Sequence, residues 1–198
     1  MGVIVAIEGL PGSGKTTALK KIIKQLEKRG ISAALTDVDS LPNARQLRRV
    51  ADALPVSHIA RSLIFWTLRV LQYETAHVLA KDHQIVLMDR SWGTALAFDG
   101  WGNKIPRKML ELMEANLPGT KPNMTLFLRV PLSIARSRKK MNTLKDLDRA
   151  KRVESGYHTL VRERKWIVVD GTKSQEAVVQ QCLKHIQRLL ILDSSRVF

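Results

Sequence analysis

The amino-acid sequence predicts an α/β fold in three layers, with a five-stranded parallel β-sheet flanked by helices. Two observations support this prediction. Short apolar runs alternate along the chain with longer segments in which apolar residues recur at helical spacing. A glycine-rich stretch, residues 9–17, joins the first apolar run to the first helical segment. In such folds the ligand binds at the carboxyl ends of the parallel strands.

The strands and helices follow one another in a regular order. Each predicted strand is short and mostly apolar, as expected of buried strands. The strands cover residues 3–7, 31–36, 85–88, 124–130 and 166–169. The first helix follows the glycine-rich stretch and ends at Gly30. The second is a basic helix through Arg45, Arg48 and Arg49, which Pro55 ends.

Helical spacing predicts four further helices. They cover residues 58–81, residues 105–117, a segment through Tyr157 and Leu160, and residues 174–192. In the 58–81 helix we expect one largely apolar face, along which lie Ile59, Leu63, Trp66, Val70, Tyr73 and His77. No repeat or linker interrupts the pattern.

Length and composition favour one domain covering residues 1–198, which is enough chain to bury a sizeable core. No apolar run approaches the roughly 20 residues of a membrane span, and the first residues do not resemble a signal peptide. Cys182 is the only cysteine, so no internal disulfide can form, in agreement with a reducing compartment. We therefore expect a cytoplasmic protein with no membrane partner.

The charge is the unusual feature of the composition. The formal net charge is +15, which predicts attraction to polyanions such as nucleotides, nucleic acids or anionic membrane surfaces. Part of the excess lies between Arg129 and Arg152, where basic residues greatly outnumber acidic ones.

The glycine-rich stretch fits the pattern G-x-x-x-x-G-K-[ST], and the required strand and helix flank it. Such a P-loop directs backbone N–H groups and a helix N-terminus at phosphate. We expect Lys15 to reach the β- and γ-phosphates of ATP and the Thr16 hydroxyl to bind Mg²⁺. The residues predicted to bind ATP phosphates are Gly12, Ser13, Gly14, Lys15, Thr16 and Thr17.

Six stretches in the same order resemble the thymidylate kinase family, in the nucleoside monophosphate kinase group of P-loop NTPases. The first reads I-E-G-L-P-G-S-G-K-T-T from Ile7, similar to the family's F-E-G-x-D-G-S-G-K-T-T. The others are F-W-T-L-R from Phe65, D-R followed by T-A-L-A-F-D-G from Asp89, T-L-F-L-R-V-P from Thr125, R-V-E-S-G-Y from Arg152 and V-V-D-G-T from Val168. The resemblance spans most of the chain and implies the P-loop NTPase fold with a mobile lid.

The resemblance also implies roles for individual residues. Phe65 would stack on the acceptor's pyrimidine, and Arg69 would donate to a carbonyl on the base edge. Arg90 would hold the acceptor phosphate, Asp89 would lie in the Mg²⁺ shell, and Phe98 would lie beneath the sugar.

The lid is expected at about residues 136–152, where the basic run falls. In the family, lid arginines approach the transferring phosphoryl group, and Arg138 and Arg149 match them. The resemblance therefore makes Lys15, Arg90, Arg138 and Arg149 the candidate catalytic residues. We expect Lys139, Lys140 and Lys145 to bind anions with less specific geometry.

Several residues depart from the family pattern on the acceptor side. Pro11 replaces a loop aspartate that binds the sugar 3′-hydroxyl. Residues 37–39 read D-V-D where the family has R-E-P, so an arginine that helps bind the acceptor phosphate is missing. Ser91, Ala95 and Asp99 replace a tyrosine, a polar base contact and a glutamine. The donor side is intact.

The favoured function is therefore an ATP- and Mg²⁺-dependent kinase of nucleotide biosynthesis. Its acceptor would be a pyrimidine deoxynucleoside monophosphate. One alternative is a deoxynucleoside kinase, in which Asp37 or Asp39 would be the base that a hydroxyl acceptor needs. Another is a basic P-loop protein that binds nucleotide and nucleic acid with little turnover. The sequence leaves a homodimer open. The net charge is the only argument for a nucleic-acid partner, which is therefore not favoured.

Overall fold

The computed structural model describes residues 1–53, 58–119, 121–138 and 146–194. Five parallel strands form one sheet in the order β2-β3-β1-β4-β5. The strands are β1 (Val3–Glu8), β2 (Ala33–Thr36), β3 (Ile85–Asp89), β4 (Met124–Arg129) and β5 (Ile167–Asp170). The predicted five-stranded parallel sheet is confirmed, although β2 begins two residues later than expected.

Eight α-helices connect and cover the described strands. They are α1 (Lys15–Glu27), α2 (Ala44–Ala53), α3 (His58–Asp82), α4 (Trp92–Ala95), α5 (Arg107–Asn116), α6 (Leu132–Arg138), α7 (Leu147–Glu163) and α8 (Gln175–Ser194). A π-helical segment, Leu96–Gly102, continues α4. None of the described helices is long and apolar enough to cross a membrane. Pro55, Lys139, Lys140 and Lys145, to which we assigned roles above, lie outside the described residues.

The sheet divides the core into two layers, because successive side chains of a strand point to opposite faces. In β1, Val3, Val5 and Ile7 pack on one face with apolar residues of α1 and α8. Ile4 and Ala6 pack on the other face with α3 and α7. This is the predicted three-layer arrangement.

The apolar face predicted for α3 is wrong in part. Trp66 and Tyr73 are buried, but Ile59 and Leu63 are 45% and 46% exposed. The buried side of the helix carries polar groups instead, including Arg69, which is 7% exposed. The prediction assumed that the inward face is the most apolar one, whereas this face borders a polar cavity.

The π-helical segment was not predicted, and it packs closely against α7. A Cβ atom on Gly156 of α7 would lie 2.7 Å from the Trp101 ring, and one on Gly102 would lie 2.9 Å from Val153. The two elements can approach this closely only because glycines occupy the contact points.

A side chain at Gly156 is expected to destabilise the fold. We predict that the free energy of unfolding of Gly156→Leu is about 1–3 kcal/mol lower than that of Ser155→Leu, because overpacking a contact destabilises a protein by about this amount. Ser155 is exposed and adjacent in the same helix, so both variants gain leucine's helix propensity. Equal stabilities in denaturant titrations would show that α7 does not depend on this close contact.

Candidate active site

One cavity of about 680 Å³ opens at the carboxyl ends of the central strands. All the site residues predicted from the sequence line it. They are Gly12, Ser13, Gly14, Lys15, Thr16, Thr17, Phe65, Arg69, Asp89, Arg90, Phe98, Arg138 and Arg149. The fold therefore brings together residues that are spread over more than 130 positions of the chain.

The P-loop surrounds the Lys15 ammonium group. Gly12 and Gly14 have φ angles of 85° and 92°, in the left-handed region that favours glycine. Lys15 Nζ donates to the carbonyl oxygens of Gly9 at 2.9 Å and Leu10 at 2.8 Å. Lys15 begins α1, so the ammonium group and the helix N-terminus together can bind a phosphate.

Thr16 and Asp89 form a pair of oxygen ligands that fits Mg²⁺. Thr16 Oγ1 donates to Asp89 Oδ2 at 3.0 Å. The other carboxylate oxygen, Asp89 Oδ1, is buried and has no hydrogen-bond partner among the described residues. A buried carboxylate oxygen without a partner is costly, and Mg²⁺ prefers such hard oxygen ligands beside substrate phosphates.

Arg90 follows β3 in a left-handed conformation, with φ of 72°. Its Nη1 donates to Gly9 O at 3.2 Å, Thr94 Oγ1 at 3.1 Å and Tyr157 OH at 3.4 Å. Burial lowers the pKa of a guanidinium, but Tyr157, Asp89 and Glu8 outweigh that effect, so the pKa of Arg90 lies above its ordinary value. The site therefore keeps a fixed positive charge at this position.

Arg69 is held in place by a second buried polar side chain. It donates from Nη1 to Gln72 Oε1. Gln72 Nε2 in turn donates to the backbone oxygens of Thr36 at 3.0 Å and Asp89 at 3.2 Å. Burial lowers the pKa of Arg69. These bonds tie α3 to the ends of β2 and β3.

Two arginines that sequence analysis did not assign to the site flank Phe65. The guanidinium carbons of Arg48 and Arg61 lie 5.7 Å and 5.4 Å from the centroid of its ring. Arg48 also pairs with Asp39 at 2.8 Å. Arg48 belongs to the basic helix that the sequence indicated, but nothing in the sequence marked it as the arginine that faces the cavity. Arg61 lies in α3, four residues before Phe65.

Asp99 also lines the cavity, and sequence analysis noted it only as a departure from the family. It is 7% exposed. Its carboxylate accepts from Trp66 Nε1 at 3.0 Å and Asn103 Nδ2 at 3.1 Å. Burial raises the pKa of Asp99.

The two predicted lid arginines contact different walls of the cavity. Arg138 donates to Gly171 O at 3.1 Å, just after β5. Arg149 donates from Nε to Asn103 Oδ1 at 2.9 Å, and its guanidinium lies 5.6 Å from the Phe98 ring centroid. That both approach the transferring phosphoryl group stays a prediction.

The cavity carries a marked excess of positive charge. The cationic side chains among its described lining residues are Lys15, Arg48, Arg61, Arg69, Arg90, Arg138, Arg149 and Lys173. The acidic ones are Asp39, Asp89 and Asp99. Eight cations against three carboxylates can accept more than one phosphorylated ligand.

Comparison with known proteins agrees with this geometry. The family model described as thymidylate kinase matches residues 7–182. A thymidylate kinase of Acinetobacter baylyi is 28% identical over 201 residues, covering 94% of this chain and 99% of the relative. A thymidylate kinase of Acinetobacter baumannii is 26% identical over 196 residues, covering 92% and 98%.

Removing the Lys15 charge is expected to stop phosphoryl transfer without unfolding the protein. We predict that Lys15→Ala lowers kcat by about 10²–10³-fold, because the loss of one preorganised group that stabilises transition-state charge typically has an effect of this size. Lys20→Ala, on an exposed position of the same helix, is the control and should retain parental turnover. Near-parental turnover of a folded Lys15→Ala protein in steady-state assays would contradict a P-loop kinase site.

Proposed function

Because the chain belongs to the thymidylate kinase family, we propose that it transfers the γ-phosphoryl group of ATP to thymidylate. It is a phosphotransferase of the nucleoside monophosphate kinase group, which uses ATP with Mg²⁺. The products would be ADP and thymidine diphosphate. The observation that carries the choice of acceptor is that Arg69 and Asp99 both line the cavity, which aromatic rings also line.

Arg69 and Asp99 present complementary groups to the edge of a base. A guanidinium only donates hydrogen bonds, whereas a carboxylate accepts them. Thymine offers a carbonyl beside a ring N–H, so O4 would accept from Arg69 and N3–H would donate to Asp99. Cytosine bound in the same orientation would place an amino group at Arg69 and an unprotonated ring nitrogen at Asp99, so both protein groups would be mismatched. Asp99, which stands where the family has a glutamine, therefore supports thymine as the base of the acceptor.

A monophosphate acceptor suits the charges of the cavity. Phosphoryl transfer to an anionic oxygen requires positioning and neutralisation of charge, and no general base. Arg90 would bind the acceptor phosphate. Arg48, which Asp39 holds at the cavity wall, would supply a cation on the side where the family's R-E-P arginine is missing.

The deoxynucleoside kinase alternative needs a free carboxylate base, and the two candidates are already engaged. Asp37 Oδ1 accepts from the backbone N–H groups of Asp39 at 2.8 Å and Ser40 at 3.0 Å. Asp39 is paired with Arg48. A carboxylate that already accepts these hydrogen bonds would have to exchange them to bind a substrate hydroxyl, so these contacts favour the monophosphate acceptor.

The alternative of a nucleic-acid-binding protein is less well supported, because part of the excess charge lies inside the cavity.

We also propose a cytoplasmic homodimer. Its interface would include an exposed apolar row on one side of α3, consisting of Ile59, Leu63, Leu71 and Val78. Exposed apolar surface of this kind is typical of contacts between protein chains.

An acceptor panel with ATP and Mg²⁺ tests the proposed function. Thymidylate should be phosphorylated with a kcat/KM at least about tenfold above that of deoxycytidylate, since a mismatched buried polar group costs about 1–3 kcal/mol. Asp99→Asn should narrow this ratio, because an amide can present either a donor or an acceptor. A preference for thymidine over thymidylate would support the deoxynucleoside kinase alternative and contradict the proposal.

Substitutions on α3 should affect the acceptor and spare ATP. We predict that Arg69→Ala raises the KM for thymidylate by about 10–100-fold, because a hydrogen bond from a charged donor is lost. Phe65→Ala should act in the same direction through lost stacking. Thr67→Ala changes an exposed residue of the same helix and is the matched control. Equal increases in both KM values would place these residues outside the base pocket.

A further inference from the structure

We propose that Glu8 is a positioning residue that orients Arg90 toward the acceptor phosphate. Glu8 ends β1 and is fully buried, so it does not contact substrate. The proposal rests on the role of Arg90 given under the proposed function. Glu8 would act on the reaction indirectly, through its hydrogen bonds to the side chains of Thr94 and Tyr157.

The Glu8 carboxylate accepts five hydrogen bonds from two distant parts of the chain. Oε1 accepts from Ser91 N at 2.7 Å, Ser91 Oγ at 2.8 Å and Thr94 N at 2.9 Å. Oε2 accepts from Thr94 Oγ1 at 2.6 Å and Tyr157 OH at 3.2 Å. A buried charge is tolerated only when it is paired and hydrogen-bonded in this way, and Arg90 lies on the other side of the same groups.

These bonds fix the direction of each hydroxyl. Because the carboxylate only accepts, Thr94 must point its single hydrogen at Glu8, which leaves its lone pairs free. One of them accepts from Arg90 Nη1 at 3.1 Å. Tyr157 likewise points its single hydrogen at Glu8 Oε2 and accepts from Arg90 Nη1 at 3.4 Å. The charge on Glu8 therefore makes both hydroxyls acceptors for the guanidinium.

The contacts hold Arg90 by one nitrogen and leave the rest of the guanidinium for a ligand. Among the described residues, the side-chain hydrogen bonds of Arg90 all come from Nη1, and the side chain lines the cavity. The Nε and Nη2 edge is the one that binds two phosphate oxygens at once. The left-handed backbone at Arg90 is a costly conformation that surrounding contacts must maintain.

Replacing the Glu8 carboxylate by an amide tests the proposal. In Glu8→Gln the amide group would donate to Thr94, whose hydrogen would then point at Arg90 and oppose its donor. We expect thymidylate affinity, measured by titration calorimetry, to fall about 10–100-fold, as for loss of hydrogen bonds to a charged group. ATP affinity should not change. Glu114→Gln is the matched control, because it removes a carboxylate of 9% side-chain exposure from its pair with Arg164, and neither residue lines the cavity.

A double-mutant cycle with Arg90→Ala separates positioning from a general structural effect. If Glu8 acts through Arg90, Glu8→Gln should cause no further loss of thymidylate affinity in the Arg90→Ala background. Additive losses, or equal losses of ATP and thymidylate affinity, would overturn the proposal. If Arg90→Ala alone leaves thymidylate affinity unchanged, the role of Arg90 in the proposed function fails instead.

The test does not depend on the stability of one variant. Should Glu8→Gln fail to fold, Tyr157→Phe and Thr94→Val each remove one hydroxyl between Glu8 and Arg90. Each is expected to weaken thymidylate binding in the same selective way and to lose its effect in the Arg90→Ala background. Retention of full thymidylate affinity in both variants would overturn the proposal.

Discussion

Repulsion between two phosphorylated substrates is the constraint on which this structure depends. Two like unit charges 4 Å apart near a protein surface repel by about 4 kcal/mol, and donor and acceptor phosphates carry several charges each. The cavity meets this repulsion with eight cationic side chains among its described lining residues. Because phosphoryl transfer consists largely of positioning and charge neutralisation, the placement of these cations is the main chemical contribution of the protein.

Cations can neutralise substrate only if the protein keeps them apart and fixed before substrate binds. Buried polar groups do this at two points. Gln72 joins Arg69 to the backbone at the ends of β2 and β3. Glu8 accepts from the hydroxyls of Thr94 and Tyr157, and the same hydroxyls accept the hydrogen bonds from Arg90. Each anchor starts from the central strands or from a helix packed on them, so the rigidity of the sheet is transmitted to the site.

The features that could be predicted from the sequence are those that depend on local residue patterns. The P-loop, the five strands and the residues at the end of β3 follow from short-range spacing, and their positions agree with the structure. Contacts between distant segments had no such signal. Tyr157 and Glu8 are 149 positions apart, and only the folded chain shows that they share a hydrogen bond. Arg61 lies four residues before Phe65 in α3, so helical spacing accounts for its approach to the ring. The approach of Arg48 depends instead on how α2 packs against α3. The error in the α3 face has the same origin, because a helix beside a polar cavity buries polar side chains.

A crystal structure with a bisubstrate analogue, in which phosphates join adenosine to thymidine, tests the central claim most directly. The account predicts donor phosphates at Lys15 and Thr16, the acceptor phosphate on the Nε and Nη2 edge of Arg90, and thymine between Arg69 and Asp99. It also predicts that the hydrogen bonds from Thr94 and Tyr157 to Glu8 persist in the complex. A thymidine group bound outside the cavity, or an acceptor phosphate that does not contact Arg90, would contradict it.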